Sequence, residues 1–383
     1  MVTRYQSENL ILDLGFRKIL LVTGRSLSEG ILEGEPSEAR FVAGQLKRES
    51  MSFLAPRALT IAHGEEWGRL RAFNEYVLDS VRSSVYRQEF FARVREAFSH
   101  PLTSVGQIRD AMSQVMLGVT FGKGRAPERV ASDVQVLFGL VQRPVKRKLL
   151  GLWYAGRRDR LYRALRQSWD DSGGGDGPSL LRRAREQAWK ESDDTLIQQI
   201  PHWMFTFTGS GTELLARTLA MITSRTHTYE KVRQEITAAG SLDDAETIGR
   251  LAYVEACLLE TGRLFPPVRL TFHCAVREQR VAGSHIPAGA EIVQHLPLLH
   301  RRAKGDPGED SFRPESWLAG SPGYSNLFLR GARACPGRDL ILFVCKSAIA
   351  LQLGVHGVMG GAPALRDDPL PLSFPRDGVR LYT

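Results

Sequence analysis

Residues 328–338, reading FLRGARACPGR, constrain this chain more than any other stretch. One cysteine, Cys335, is held between Gly331 and Gly337, and an apolar helical pattern follows over 339–353. A loop that opens a helix offers backbone N–H groups to an anion, so the thiol is expected to be poised as thiolate. A thiolate on such a loop is a natural axial ligand for haem iron, and the glycines let the backbone pass close beneath a flat macrocycle. Phe328 is placed to cover the sulfur, and Arg333 to meet a carboxylate. A cysteine taken alone is more often a small buried hydrophobe, so the reading depends on what else the chain carries.

Four other stretches bear on it. Residues 63–71 (HGEEWGRLR) lead into a helical pattern running to Val77. Trp67 and Arg71 are four apart and share one helix face. Residues 194–223 form the longest helical pattern, and its middle reads FTFTGSGTE from Phe205 to Glu213. Two glycines inside a helix cost about 1 kcal/mol each relative to alanine. A helix break or tight packing explains them, and so does a gap for a planar ligand. Residues 251–264 form another helix in which Glu260 and Arg263 stand one turn apart, an ordinary surface pair in most proteins. Residues 268–293 alternate and turn at Gly283 and Gly289, which predicts strands.

Taken together, these motifs resemble the cytochrome P450 family over roughly residues 64–353. The Cys335 loop fits F-x-x-G-x-R-x-C-x-G at every fixed position, and the tryptophan–arginine, Glu260/Arg263 and IPAGAEI motifs follow the family's chain order. The resemblance implies a mainly α fold with a smaller β part and a buried haem b (iron protoporphyrin IX). It implies Cys335 as the iron ligand. Trp67, Arg71, Arg333 and His273, the last standing where the family often has arginine, become candidates for the haem propionates, with Phe328 and Gly337 completing the cradle. Glu260 and Arg263 become a buried pair that holds the Cys loop, with a third partner unassigned among residues 312–317. Thr212, with Gly209, is expected to assist oxygen activation, and Phe205, Thr208, Leu270 and Thr271 to edge the substrate pocket. One departure stands out. Gly211 occupies the place of an acid that relays protons in the family. Glu213, the next carboxylate, points about 100° away on a regular helix and substitutes only if that helix is distorted.

Composition narrows the partners. The chain has 383 residues, and Lys plus Arg exceed Asp plus Glu by 51 to 42. The basic residues are spread along the chain without interleaved aromatics, which argues against nucleic acid. They read as a solvated arginine-rich surface or as a face for an acidic electron donor, and Arg330, Arg338 and Lys346 flank the Cys loop. The first residues, 1–14, show no apolar run of signal or anchor type. The expectation is therefore a cytoplasmic protein with no membrane segment. The four cysteines lack metal-site spacing and are expected to be reduced, with Cys257 and Cys345 in the core.

The remaining expectations are coarser. Residues 16–23 suit a strand or a helix, 52–61 a loop around Pro56, 130–145 an amphipathic helix and 146–166 a basic one. The glycine run 171–178 reads as a loop within one domain spanning 1–383, and 370–383 as terminal strands. The expected activity is oxygen-dependent oxidation of a small apolar organic substrate, of specialised metabolism, served by a ferredoxin-type donor. Two rivals are kept. One is the same haem protein running an isomerase, nitrogen-transfer or cyclisation reaction, given Gly211. The other is a non-catalytic helical binding protein.

Overall fold

Alternation of apolar residues builds the small sheet, and helical periodicity builds everything around it. The computed structural model describes residues 9–15, 18–33, 40–141, 143, 151–172, 177–301, 307–320, 322–361, 365–366, 369–375 and 379–383. The strands are β1 (Asn9–Asp13), β2 (Lys18–Val22), β3 (Phe41–Ala43), β4 (Leu270–Ala275), β5 (Gln279–Val281), β6 (Ser284–Ile286) and β7 (Glu291–His295). Five of them form one sheet in the order β1-β2-β7-β4-β3, with only β2 and β7 parallel. Leu20, Val22, Phe41, Ala275 and Ile292 turn to its inner face and pack with Leu27 and Ile31 of helix α1 (Arg25–Leu32). The ambiguous segment at 16–23 is thus a strand, because Leu20 and Val22, two apart, both bury; residues 16 and 17 lie outside the described set.

The helices that matter for the site are α2 (Gln45–Leu54), α3 (Gly64–Leu78), α4 (Ser84–Ala97), α5 (Val105–Phe121), α6 (Val130–Val141), α7 (Ala155–Asp171), α8 (Ile200–Thr206), α9 (Thr212–Thr223), α10 (Thr226–Ala238), α11 (Ala252–Leu264) and α12 (Arg338–Ile349). Their apolar faces share one large core in which Leu70, Phe73, Phe90, Phe91, Val115, Leu215, Leu219, Leu258 and Val344 are buried. The fold is mainly α with a smaller β part, as the sequence leads one to expect.

Three local expectations fail for identifiable reasons. Residues 52–54 continue α2, because Met51 and Leu54 both reach the core; the helix stops at Ala55, just before Pro56. The long pattern at 194–223 is broken into the short helix Asp193–Ile197, then α8, a π-helical turn at Phe207–Gly211, and α9. At the C-terminal end only Leu381–Tyr382 is a strand among the described residues, paired with Met359–Gly360. Part of the basic stretch, residues 146–150, and of the glycine run, residues 173–176, lies outside the described set.

Candidate active site

The Cys335 loop is built mainly from main-chain bonds. The Cys335 N–H donates to the Phe328 carbonyl at 2.7 Å, and the Leu329 N–H to the Asn326 carbonyl at 3.0 Å. Leu329 takes φ 57°, a left-handed conformation costly for a leucine, so the surroundings must enforce it. They do so through a buried chain of polar contacts. Arg263 and Glu260 meet side-on at 2.7 and 2.8 Å, with side chains 2% and 1% exposed. Arg263 also donates to the carbonyls of Glu309 and His300. His300 Nδ1 donates to the Arg263 carbonyl at 2.8 Å, which leaves Nε2 to accept the Asn326 N–H at 2.8 Å. That pattern needs a neutral ring, and burial pushes His300 down to about 3.

The unassigned third partner of the pair is now visible. The main-chain N–H of Arg313 donates to Glu260 Oε1 at 3.0 Å, and the Trp317 indole donates to Oε2 at 2.9 Å. An indole and an amide take the place of a second cation, so the carboxylate gains strong donors without another buried charge. Gly262, between the two charged residues, has its own reason. A Cβ there would lie 2.1 Å from Leu327, so a side chain at this position would have to push Leu327 away from α11.

Cys335 faces a cavity enclosing about 1930 Å³, its open mouth included. Its accessible surface is large, yet protein surrounds it, because what it exposes opens on the cavity. Burial pushes the thiol up, opposed by the Gly337 N–H and by the charges of Arg71 and Arg338. The protein groups alone therefore do not hold the thiolate expected from the helix start; a coordinated metal cation would. Trp67, Arg71, Phe328, Arg333, Gly337, His273, Leu270 and Thr271 all line this cavity with Cys335. Arg71 braces the loop by donating to the Ala334 carbonyl and pairs with Glu75 at 2.6 Å.

Two cavity residues carry no signal in the sequence. Lys47, on α2, reaches the cavity because β3 pairs with β4, placing Ala43 opposite His273 and the start of α2 just beyond. Burial, then the Arg333 charge, lowers it to about 8. His202, on α8, lines the cavity as well and is lowered to about 3 by burial, then by Lys47. No motif marks either one; strand register and helix rotation bring them in.

The distal wall differs from expectation. From the segment 203–214 the cavity is lined by Trp203, Thr206, Phe207, Ser210, Gly211 and Leu214. Thr212 is 2% exposed and absent from the lining, and its hydroxyl has no partner. Gly209 faces Phe138 of α6. Phe205 stacks on Phe138 at 4.1 Å, and Thr208 donates to the Met204 carbonyl. Glu213 pairs with Arg217 on the outside, 52% exposed, so it does not replace the missing acid. These five expected site residues therefore stand off the cavity. Trp203, Phe207, Ser210 and Leu214 face the cavity at ordinary helical spacing, and at that rotation Phe205, Thr208, Gly209 and Thr212 fall on another side of the helix. Gly211 is small for a reason of packing. A Cβ there would lie 2.6 Å from Ile341 of α12 and 3.3 Å from Met112 of α5, so an acid would have to displace the tips of both side chains.

The basic face expected around the loop is also altered. Lys346 is 6% exposed on its side chain and bound to Glu255, Arg330 pairs with Glu29, and Arg338 pairs with Asp339. No helix among the described residues is long and apolar enough to cross a membrane.

Whether a haem fits can be judged from these residues. His273 is buried with both ring nitrogens unpartnered, Arg333 has an unpartnered Nε, and no carboxylate lines the cavity among the described residues. Buried orphan donors beside a lysine and an arginine suit a group with two carboxylates, and the thiol on the same cavity suits a soft metal ligand. The residues fit the group.

Comparison with known proteins agrees. The model of the cytochrome P450 family matches residues 160–348. A cytochrome P450 monooxygenase of Fusarium proliferatum is 32% identical over 139 residues, 33% of this chain and 27% of its own. Cyclooctat-9-en-7-ol 5-monooxygenase of Streptomyces melanosporofaciens is 28% identical over 179 residues, 42% of this chain and 38% of its own. The alignments thus span well under half of these curated relatives. A crystal structure of a cytochrome P450 superposes with a TM-score of 0.76 at 17% identity, covering 91% of this chain and 84% of the other, which shows the fold. With the family model matched over residues 160–348 and its Cys335 loop intact, the chain belongs to the cytochrome P450 family.

Proposed function

We propose that the chain is a haem-thiolate monooxygenase that oxidises a small, largely apolar organic substrate with dioxygen. The observation that carries this reading is Cys335 facing a cavity whose other walls are mostly apolar. Haem b, when bound, supplies reductive activation of dioxygen. The chain's own residues do the rest. Cys335 would hold the metal. Lys47, Arg333 and neutral His273 would receive the propionates, with Trp67 and Arg71 beside them. Phe207, Leu214, Leu270 and Ile341 offer apolar surface to the substrate and keep water scarce around the reacting centre. The reading includes one domain, a ferredoxin-type donor, a cytoplasmic setting and a role in specialised metabolism.

The departure at Gly211 favours no change of reaction class, because packing against Ile341 and Met112 accounts for it. Family membership weighs against a non-catalytic binding protein. Labelled-dioxygen turnover tests the reading. With a ferredoxin, its reductase and reduced nicotinamide, a substrate found by spin-state screening should gain one labelled oxygen atom. Conversion that proceeds without electron donor or dioxygen would overturn it in favour of an isomerase-type reaction.

A further inference from the structure

The distal hydroxyl of this site is misplaced in the sequence pattern, and the structure locates a replacement. The π-helical turn Phe207–Gly211 inserts one residue into the helical register ahead of α9. Ser210 and Gly211 face the cavity on the same helix side as Trp203 and Phe207, whereas Thr212 is buried outside it. The same turn lies against α12, the helix that begins three residues after Cys335, since Gly211 is in close contact with Ile341. A side chain presented to the cavity beside Gly211 therefore shares that cavity with Cys335.

Hydroxyl commitments on this segment single out one residue. Thr206 donates to the carbonyls of His202 and Trp203 at 2.9 and 3.0 Å, and Thr208 donates to Met204 at 3.0 Å. These are the back-bonds of helical threonines and leave no donor for a ligand. Thr212 has a free hydroxyl but no access to the cavity. Ser210 makes no side-chain hydrogen bond among the described residues and lines the cavity. No acid enters the comparison: Gly211 carries none, and Glu213 is held outside by Arg217.

We propose that Ser210, not Thr212, would donate the hydrogen bond to a diatomic ligand bound at a metal held by Cys335, and that Thr212 is a packing residue. This rests on the haem-thiolate reading and assigns the distal donor within it. A donor aimed at the outer atom of bound carbon monoxide draws charge onto that atom and weakens the C–O bond.

The test uses the haem-loaded chain in its ferrous carbon monoxide form, read by infrared spectroscopy. Ser210→Ala should raise the C–O stretching frequency, and Ser210→Thr should restore the parental value. Thr212→Val should leave the frequency unchanged. It should also keep or raise the melting temperature, because it removes a buried hydroxyl without a partner. A frequency shift in Thr212→Val with none in Ser210→Ala overturns the assignment, as does the absence of a shift in both. A parent protein that forms no thiolate-type carbon monoxide complex overturns the haem reading itself, and the Ser210 assignment with it.

Discussion

The two walls of the cavity follow different rules. The Cys335 wall is held by main-chain hydrogen bonds and a buried charge chain running Glu260–Arg263–His300–Asn326. The distal wall is a helix with its register broken by a π turn, held by side-chain packing of Gly211 on Ile341 and Met112. A local, main-chain-defined loop carries its geometry in its own sequence. A helix whose rotation depends on packing elsewhere does not.

The largest expected effect at neutral pH lies on the Cys335 side. Arg263→Ala leaves the Glu260 carboxylate buried without its charge partner and should cost about 3–5 kcal/mol. Denaturant unfolding of the haem-loaded protein measures this. A cost near zero would mean that the loop is not held by this chain of contacts.

Smaller effects come from overpacking, and they compare the two walls directly. Gly262→Ala drives a methyl into Leu327, and Gly211→Asp drives a carboxylate into Ile341; each should cost about 1–3 kcal/mol. Pairing Gly211→Asp with Ile341→Ala should recover part of that loss in thermal melts. If Gly211→Asp alone is neutral, the packing explanation for the missing acid fails.

Acid sharpens the contrast further. His300 and His202 sit at about 3 in the folded chain, below the ordinary 6.5. The unfolded chain therefore binds more protons between these values, and stability falls as pH drops from 6.5 toward 3. The slope approaches about 1.4 kcal/mol per pH unit for each ring. Equilibrium unfolding across that range should show it, and His300→Gln should remove one ring's share.

The alkaline side belongs to Lys47. Its value of about 8 in the folded chain lies below the ordinary 10.5, so burying its charge costs stability below pH 8. In the haem-free chain that cost should fade as pH rises from 8 to 10.5, and Lys47→Met should flatten the rise. The Arg333 charge faces the same ammonium, and His273 and His202 feel it, so removing it should also ease protonation of both rings. An unchanged pH profile in Lys47→Met would mean that the ammonium is not desolvated against this wall.

Legibility in the sequence tracks the same division. The Cys335 loop, the tryptophan–arginine face and the Glu260–Arg263 pair are legible, because fixed spacings place them on one turn or one helix face. The third partner of that pair is not. Ser316 stands where the family pattern has a basic side chain; the neighbouring Trp317 supplies an indole instead, and Arg313 contributes its main chain. Lys47 and His202 carry no motif and depend on the β3–β4 register and on helix rotation. Thr212 is misplaced because the motif does not fix which side of the helix faces the cavity, and Trp203, Phe207 and Ser210 take that side.

The ferrous carbon monoxide absorption spectrum of the haem-reconstituted chain tests the central claim most directly. A strongly red-shifted Soret band that disappears in Cys335→Ser is the predicted result. A band at the ordinary position in the parent protein, or one that survives the substitution, would contradict ligation by Cys335.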